Sequence, residues 1–260
     1  MKQLAVIGEN VTKYSLSPYV HNFWLNKYNL PHNYIACDVD RKGLAEFIKD
    51  ARSKFFGFNV TTPFKNEILQ YLDQVDEIGE KTESINVVKN INGKLYGYNT
   101  DMMAFTKQFN LKKKYQRIVI LGLGGVTRSI LFALINFFQS EEIYIISRKV
   151  TINNLEKSLS KKIIYSDYSN LPELLKTTNL LINTTPKDVI DEIINVRDLQ
   201  NNVELFDVNY INTNFHDKLN LANIKVLKGN NMFVEQAKHS FDIWFNILPS
   251  EIDINELKIC

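Results

Sequence analysis

Cysteine and histidine are scarce in this sequence, and their scarcity removes several kinds of site. Only Cys37 and Cys260 occur, far apart and without a CxxC motif, and the four histidines form no cluster with them. Disulfide frameworks and zinc sites both need such residues in recognisable spacings. The sequence therefore predicts neither a disulfide-stapled fold nor a metal site.

Excess charge and long apolar runs are also lacking. The chain has 31 Lys+Arg against 29 Asp+Glu, a net charge of +2, and no basic block beyond "LKKKY" at 111–115. A nucleic-acid-binding surface needs more clustered positive charge, so no nucleic-acid partner is expected. The longest apolar runs, such as "IVILGLGGV", are too short to span a bilayer, and the start of the sequence has no signal-peptide pattern. We expect a cytoplasmic protein without a membrane partner.

What is present is an alternation of strand-like and helix-like segments. Short β-branched runs alternate with longer amphipathic ones, which is typical of βαβ units and a mostly parallel sheet. At 260 residues, two domains are expected. In the first part of the chain we predict strands at 3–8, 33–38 and 56–60, and helices at 18–29, 41–52 and 64–72.

Two further features complete the predicted organisation. Asn92-Gly93 within 85–98 is typical of a tight hairpin turn, so an antiparallel edge is expected to close the first unit. A second α/β series begins at 117, and apolar residues near a helical period predict a C-terminal helix over 232–248. The strands predicted in the second series lie near 142–147, 162–165, 179–183 and 204–208.

A glycine-rich turn follows the first strand of the second series. Gly122, Gly124 and Gly125 stand between a strand and a helix, with Thr127 in place of a third small residue. Glycines in this position let the backbone approach a pyrophosphate at the helix N-terminus. The match is imperfect, and a glycine-rich turn without any nucleotide remains open.

The end of the next strand carries two cations. Ser147, Arg148 and Lys149 stand where an NAD-binding domain usually presents an acidic residue to the ribose. A guanidinium and an ammonium suit a 2′-phosphate instead. The pattern favours NADP over the alternative of two solvated surface cations.

Two polar stretches in the first half suggest a substrate site. Ser15 and Ser17, in an extended backbone, would project their hydroxyls to one side and could bind a carboxylate, although Ser17 could equally cap the following helix. Lys65 and Asp101 each follow a predicted strand, at the sheet edge where ligands of open α/β sheets gather. Asp101, too, could simply cap a helix.

The ordered set of motifs resembles the shikimate dehydrogenase family over nearly the whole chain. The motifs are "SLSP" with "HN", "GFNVTTPFK", "GYNTD", the glycine-rich turn, a strand-end arginine, "NTTP" at 183–186 and "KGNNMFVEQAKHSF" at 228–241. The resemblance implies an α/β protein of two domains separated by a deep cleft. It also implies NADPH-dependent reduction of 3-dehydroshikimate to shikimate, in aromatic amino-acid biosynthesis.

The resemblance further implies domain boundaries and site residues. The implied parts are a substrate-binding domain at 1–103, a Rossmann-like NADP-binding domain at 104–231, and a C-terminal helical segment at 232–260 that returns toward the first domain. Lys65 is implied as the catalytic residue with Asp101 as its partner. The implied substrate ligands are Ser15, Ser17, Thr61, Lys65, Asn86, Asp101, Tyr210 and Gln236, and the implied cofactor ligands are Gly122, Gly124, Gly125, Ser147, Arg148, Lys149, Thr184 and Gly229.

Departures from the family pattern leave other functions open. Glu83 and Val87 stand near Asn86 where the family has glycine and threonine, and Met102 replaces a glycine after "NTD". A dehydrogenase of quinate or of a related cyclohexane carboxylate is the nearest alternative. A weakly active paralogue that senses a carboxylate is another, although the retained pair of Lys65 and Asp101 argues against it. Either a monomer or a homodimer is compatible with the sequence.

Overall fold

The computed structural model of the chain describes residues 2–148, 162–186, 189–210 and 214–250. Contacts divide the chain into two compact units. One unit comprises the residues up to Met102 together with the segment from Val234, and the other runs from Met103 to Phe233. Assignment of substrate binding to the first unit and cofactor binding to the second stays a prediction at this point.

The first unit is built on a six-stranded mixed sheet in the order β2-β1-β3-β5-β6-β4. Strands β1, β2 and β3 are parallel, β5 runs antiparallel to both β3 and β6, and β4 pairs parallel to β6. The strands are β1 (Gln3–Gly8), β2 (Tyr34–Asp38), β3 (Phe55–Val60), β4 (Gln74–Val75), β5 (Val87–Ile91) and β6 (Lys94–Tyr98). The helices are α1 (Val11–Tyr14), α2 (Ser17–Lys27), α3 (Leu44–Lys54), α4 (Glu77–Thr82) and α5 (Asp101–Thr106).

Apolar periodicity explains how helices cover this sheet. On α3, Leu44, Ile48 and Ala51 recur at helical spacing and are buried in one core cluster with β1 and β3. On the long C-terminal helix, Phe241 and Trp244 are buried together with Trp24 of α2, and the rings of Trp24 and Phe241 pack edge to face.

The second unit contains a fully parallel sheet. Its strands follow the order β12-β11-β10-β7-β8-β9, which is 6-5-4-1-2-3 when counted from β7, the order of doubly wound dinucleotide-binding sheets. The strands are β7 (Lys114–Leu121), β8 (Gln139–Ile146), β9 (Lys162–Ser166), β10 (Leu180–Asn183), β11 (Glu204–Asp207) and β12 (Lys225–Lys228). The helices are α6 (Gly125–Phe137), α7 (Leu171–Leu175), α8 (Val189–Ile193), α9 (Asn214–Leu221) and α10 (Asn230–Phe245), the last of which continues into the first unit.

The predicted α/β fold class is confirmed, but two local predictions need correction and one strand was missed. The helix predicted at 64–72 is only a 3₁₀ helix, Glu67–Tyr71, and Lys65 lies in the turn before it. The Lys65 carbonyl accepts the Ile85 N–H at 2.7 Å and is thereby withdrawn from helical hydrogen bonding. The hairpin at Asn92-Gly93 forms with positive φ at both residues, yet β4 lies beyond it at the sheet edge. Strand β12 was not predicted.

Candidate active site

Lys65 and Asp101 form a largely buried ion pair. Lys65 Nζ lies 2.6 Å from Asp101 Oδ2, and the two side chains are 13% and 5% exposed. Lys65 follows β3 and Asp101 follows β6, two strands that run in the same direction, so their carboxyl ends share one edge of the sheet. Because a buried charge without its partner is costly, this pair holds both side chains in place.

The backbone around Lys65 is also fixed. Besides the bond from Ile85 to the Lys65 carbonyl, Asn66 Nδ2 donates to the Glu83 carbonyl at 2.9 Å. The turn that carries the lysine is therefore tied to the segment that leads into Asn86. A side chain on such a turn has fewer accessible positions than one on an exposed helix face.

Asn86 connects the ion pair to three other polar groups. Its Nδ2 donates to Asp101 Oδ1 at 3.1 Å, to Thr100 Oγ1 at 2.8 Å and to Gln236 Oε1 at 3.2 Å, while its Oδ1 accepts the Thr100 N–H at 2.8 Å. An amide has only two protons for three acceptors, so these bonds are shared. The cluster of Lys65, Asn86, Thr100, Asp101 and Gln236 is named the polar cluster below.

Asp101 does not act as the helix cap. It is the first residue of α5, and the Met102 N–H is accepted by Asn99 Oδ1 at 3.2 Å. Both Asp101 oxygens face the polar cluster instead, one toward Lys65 and one toward Asn86. The alternative of a simple capping aspartate is therefore wrong.

Ser15 and Ser17 lie close together but are not equivalent. Leu16 between them has αR geometry, with φ −84° and ψ −5°, so the predicted extended backbone is wrong. The Ser17 N–H donates to Ser15 Oγ at 3.2 Å, which leaves the Ser15 hydroxyl proton to be donated elsewhere. Ser17 is buried, and its hydroxyl bonds to the phenol of Tyr34. Leu16 is the N-cap of α2, so Ser17 is not a capping residue.

A buried relay lies behind Ser17. Tyr34 donates its hydroxyl proton to Asn59 Oδ1 at 2.7 Å, and Asn59 Nδ2 donates to the Asn86 carbonyl at 3.1 Å and to Ser240 Oγ at 2.9 Å. Burial raises the pKa of Tyr34 well above its usual range, so the phenol keeps its proton. This relay joins the serine pair to the polar cluster through side chains that the sequence did not single out.

Helix α10 brings Gln236 to the polar cluster across 150 positions of sequence. Trp244 Nε1 donates to the Val88 carbonyl at 3.0 Å, and the indole lies where a Cβ on Gly57 would come within 2.3 Å of it. Gly57 and Asn59 are two residues apart on β3, so they lie on the same face of the strand. Both contact α10, because Gly57 lies beside Trp244 and Asn59 donates a hydrogen bond to Ser240. The "GFN" of the quoted motif is thus a docking surface for this helix.

Thr61 is half-buried at the end of β3 and is held by its backbone. Its N–H donates to the Ile7 carbonyl at 3.0 Å, and its carbonyl accepts the Phe64 N–H at 2.9 Å. A Cβ on Gly8 would lie 2.5 Å from the Thr61 methyl group, so Gly8 makes room for this side chain. Thr61 belongs to the same unit and the same sheet edge as the polar cluster.

The glycine-rich turn lies at the switch point of the second sheet, between β7 and β10. Gly122 has φ +100°, a conformation that glycine adopts without strain, and a Cβ there would lie 2.6 Å from Thr184 Oγ1. A Cβ on Gly124 would meet nothing within 4 Å, so its backbone faces open space. Gly125 begins α6, whose N-terminus can receive a phosphate.

Thr127 and Thr184 form a chain of hydroxyls beneath this turn. The Gly124 N–H donates to Thr127 Oγ1 at 3.0 Å, Thr127 Oγ1 lies 2.8 Å from Thr184 Oγ1, and the Thr184 hydroxyl donates to the Leu121 carbonyl at 2.7 Å. Thr127 is buried and points into the protein. Its side chain therefore supports the turn from the protein side.

Of the two cations at the end of β8, Arg148 lies within the described residues. Arg148 is exposed and lies just after β8. Burial raises the pKa of Tyr168, and the positive charge of Arg148 partly opposes that rise. Ser147 is buried, with its N–H 3.4 Å from the Ser166 carbonyl. Lys149 lies outside the described residues, as does Cys260.

Tyr210 and Gly229 belong to the second unit, whereas the serines, Thr61 and the polar cluster belong to the first. The Tyr210 ring packs on Phe233, with ring centroids 5.1 Å apart. A Cβ on Gly229 would come within 2.1 Å of the Val208 carbonyl oxygen. Glycine is therefore required here by packing alone, whatever lies beside it.

Sequence reasoning missed Thr100, Tyr34, Asn59 and Ser240 as parts of the site. A usable signal exists for Asn59, because residues 57, 59 and 61 of "GFNVT" share one face of a strand. Tyr34 and Ser240 carry no such signal, since each reaches the site through a tertiary contact.

The described residues contain neither a metal-binding cluster nor a helix that could cross a membrane. No group of three or more His, Cys, Asp or Glu side chains among them could hold a metal ion. Within the same ranges, every helix is too short or too polar to cross a bilayer.

Residues 6–88 match the model of the shikimate dehydrogenase substrate-binding domain. A shikimate dehydrogenase (NADP+) of Methanococcus vannielii is 30% identical over 98% of this chain and 94% of its own length, and one of Pelagibacter ubique is 32% identical over 100% and 99%.

Solved structures agree with these relatives. The shikimate dehydrogenase of Aquifex aeolicus is 28% identical with a TM-score of 0.85, covering 99% of this chain and 97% of that one. The enzyme of Thermus thermophilus, solved in complex with NADP(H) and shikimate, is 27% identical with a TM-score of 0.83, covering 99% and 98%. With identity of 30% and more extending over almost the whole sequence, the predicted resemblance is confirmed, and the chain belongs to the shikimate dehydrogenase family.

Proposed function

We propose that this protein catalyses the reversible NADPH-dependent reduction of 3-dehydroshikimate to shikimate, in aromatic amino-acid biosynthesis through chorismate. Membership of the family supports the reaction, and the predicted class of NADP-dependent oxidoreductase is confirmed. The observation that carries the assignment within this chain is the buried pair of Lys65 and Asp101. A protein that only bound a carboxylate would not need that pair.

Lys65 is the proton donor of the reduction. The Lys65 ammonium, which is paired with the Asp101 carboxylate, can polarise a substrate carbonyl and pass one proton to the oxygen as the carbonyl becomes an alcohol. NADPH, when bound, supplies the hydride. The lysine then regains its proton from solvent, so one hydride and one proton convert the ketone to the alcohol.

Asp101 positions the donor and balances its charge. One carboxylate oxygen contacts Lys65 and the other accepts from Asn86, so the carboxylate cannot turn away without losing a hydrogen bond. In the oxidative direction, Lys65 must accept the proton of the substrate hydroxyl as a neutral amine.

The remaining substrate ligands divide by chemistry. Ser15, whose hydroxyl proton stays available, and Ser17 bind the substrate carboxylate, since hydroxyls can donate charge-assisted hydrogen bonds. Thr61, Asn86 and Gln236 surround the ring hydroxyls, and Tyr210 is a further substrate ligand, as the resemblance to the family implies.

The residues around the switch point of the second sheet fit NADP. Gly122 at positive φ, the open face of Gly124 and the N-terminus of α6 at Gly125 together form a cradle for a diphosphate. Arg148 supplies an exposed cation for the 2′-phosphate, with Ser147 beside it and Lys149 next in sequence. Thr184 holds the turn to β10, and Gly229 lies where the nicotinamide packs. In this proposal the first unit binds the substrate and the second binds the cofactor.

Location and assembly complete the proposal. A biosynthetic reduction that draws on NADPH belongs in the cytoplasm, where we place the protein. We propose a monomer or a homodimer, which light scattering of the purified protein can distinguish.

Initial rates test the function directly. We expect oxidation of shikimate with NADP to be fastest among the four combinations of shikimate or quinate with NADP or NAD. A faster rate with quinate would assign the protein to that related reaction. No turnover with either substrate, together with measurable binding of shikimate, would indicate a carboxylate-sensing protein and refute the proposed reaction.

A further inference from the structure

A buried carboxylate with an unusual number of donors lies at the end of β11, in the second unit. Asp207 is fully buried, and its Oδ1 accepts from Asn183 Nδ2 at 3.1 Å, from the Asn209 N–H at 2.9 Å and from Asn209 Nδ2 at 2.8 Å. Its other oxygen, Oδ2, lies 3.1 Å from His216 Nε2. The proposed reaction uses neither Asp207 nor His216.

The hydrogen bonds of Asp207 define the shape of the turn that follows β11. A bond from the N–H two residues ahead to an aspartate side chain closes a turn in the way a backbone carbonyl otherwise would. Asn209 Nδ2 donates in addition to the Thr185 carbonyl at 3.0 Å, which joins this turn to the end of β10. The segment from Asp207 to Asn209, which leads directly into Tyr210, is therefore held both by its own aspartate and by the end of β10.

This turn carries or contacts two residues of the proposed site. Tyr210 is its last residue, and the ring packs on Phe233. The Val208 carbonyl oxygen lies so close to Gly229 that a Cβ there would come within 2.1 Å of it. The Gly229 nitrogen lies 3.4 Å from the Asn209 carbonyl oxygen, to which it donates. A shift of the turn would therefore move both Tyr210 and Gly229.

His216 attaches the turn to a separate element. It lies on α9, is 1% exposed, and meets the carboxylate oxygen that Asn183 and Asn209 do not use. A buried carboxylate is tolerated only when its oxygens are hydrogen-bonded, so loss of the imidazole would leave Oδ2 without this partner and loosen the turn.

We propose that His216 and Asp207 are a positioning pair that holds the turn from Val208 to Tyr210, and with it Tyr210 and Gly229, in the arrangement needed for substrate and cofactor. This inference rests on the proposed function of Tyr210. It adds two residues that neither contact the substrate nor belong to the motifs of the sequence.

A purely structural pair and a positioning pair have different consequences. If the pair only stabilised the fold, its loss would lower the melting temperature and the active fraction, and KM would not change. If it positions Tyr210, KM for shikimate rises among the molecules that remain folded, and the rise depends on the Tyr210 hydroxyl.

The test is a double-mutant cycle in the full-length protein. His216→Ala should raise KM for shikimate by about tenfold, whereas His216→Gln, which keeps a donor near the position of Nε2, should recover most of that loss. In the Tyr210→Phe background, His216→Ala should change KM by less than about twofold. Tyr115→Phe is the control, because it removes a different side-chain hydrogen bond of this unit, the partly buried one to Glu204 at 3.0 Å, and should leave KM unchanged.

Two results would overturn the positioning role. One is an unchanged KM in His216→Ala with a lowered melting temperature, and the other is the same rise in KM whether or not the Tyr210 hydroxyl is present. If His216→Ala does not fold, His216→Asn takes its place in the same cycle, and His216→Gln stays the variant that should recover KM. Absence of shikimate turnover in the unmutated protein would instead refute the proposed function.

Discussion

At the scale of single residues, the proposed chemistry depends on Lys65, whose side chain and backbone are held in place by surrounding contacts. Lys65 shares a buried contact with Asp101, and its own backbone is held by Ile85. Substitution of the lysine has two separable effects. It removes the proton donor, and it leaves the buried Asp101 carboxylate without its ion-pair partner, which lowers the stability of the fold. A useful experiment must distinguish them.

We expect Lys65→Ala to lower kcat by roughly two to four orders of magnitude while KM for shikimate stays within several-fold, because the proton is needed mainly in the transition state. Steady-state rates on the folded fraction provide the measurement. Lys65→Ala combined with Asp101→Asn is the control, since it removes the unpaired charge and should regain stability without regaining kcat. Retention of a tenth of the original kcat would show that Lys65 is not the donor.

Cofactor preference is a second property that depends on one side chain. Arg148→Ala should reduce kcat/KM for NADP by about tenfold to a hundredfold and leave NAD nearly unaffected, because a charge-assisted hydrogen bond is worth roughly 1.5 to 3 kcal/mol. Arg197→Ala, which removes another exposed arginine of the same unit, should change neither value. An equal loss with both cofactors would assign Arg148 to the fold rather than to the 2′-phosphate.

At the scale of elements, the turn that ends α4 departs from the family pattern. Glu83 is the C-cap of α4 and has φ +48° and ψ +40°, where the family carries glycine. A left-handed conformation strains a residue with a Cβ by about 1 kcal/mol. The same turn receives the Asn66 side chain beside Lys65, so this strain lies next to the polar cluster.

Glu83→Gly should therefore raise the free energy of unfolding by about 1 kcal/mol, because glycine relieves the strain of the left-handed conformation. Urea unfolding monitored by circular dichroism gives the value. Glu80→Gly, at an exposed position inside the same helix, is the control and should lower stability by about 1 kcal/mol. Destabilisation by both substitutions would mean that the Glu83 side chain contributes more than its backbone costs.

At the scale of the whole molecule, stability depends on pH through a histidine in the core of the first unit. His21 is fully buried and stacks on Tyr34 at 4.4 Å between ring centroids. Burial lowers the pKa of His21 to about 3. The unfolded chain therefore takes up a proton near pH 6.5, whereas the folded protein does not, so stability is complete above pH 6.5 and falls as the pH drops toward 3.

Between pH 6.5 and 5, His21 should reduce the free energy of unfolding by about 1.6 kcal/mol in total, with a slope that approaches about 1.4 kcal/mol per pH unit at the lower end. His21→Phe preserves an aromatic ring in the same stack and should remove this part of the slope, even if its absolute stability differs. Urea unfolding at several pH values measures both slopes. Equal slopes in the two proteins would show that His21 does not titrate differently on unfolding.

Glu204 contributes in a lower range of pH. Burial opposes its ionisation, but hydrogen bonds from Lys113, Lys225 and Tyr115 outweigh that effect and lower the pKa of Glu204 to about 2. Its stabilisation is present above the ordinary carboxyl range and is lost as the pH falls toward 2. The window from pH 6.5 to 5 therefore separates His21 from Glu204.

The sequence alone determined the parts of this protein that local rules control. Alternating strands and helices, the hairpin at Asn92-Gly93 and the glycine-rich turn all follow from periodicity and backbone preference over a few residues. Lys65 and Asp101 could be expected to meet, because parallel strands end at a common edge. The resemblance to a family supplied the reaction and the remaining site residues.

Only the tertiary structure decided which side chains support the site and in which direction their hydrogen bonds run. The αR geometry of Leu16 makes Ser15 and Ser17 unequal, and the carbonyl bond from Ile85 keeps Lys65 out of a helix. Tyr34, Ser240 and His216 act through partners far away in sequence or on a separate element, to which no local pattern points. A buried polar group takes whichever partner the packed chain brings within about 3 Å, and that choice is made by the fold as a whole.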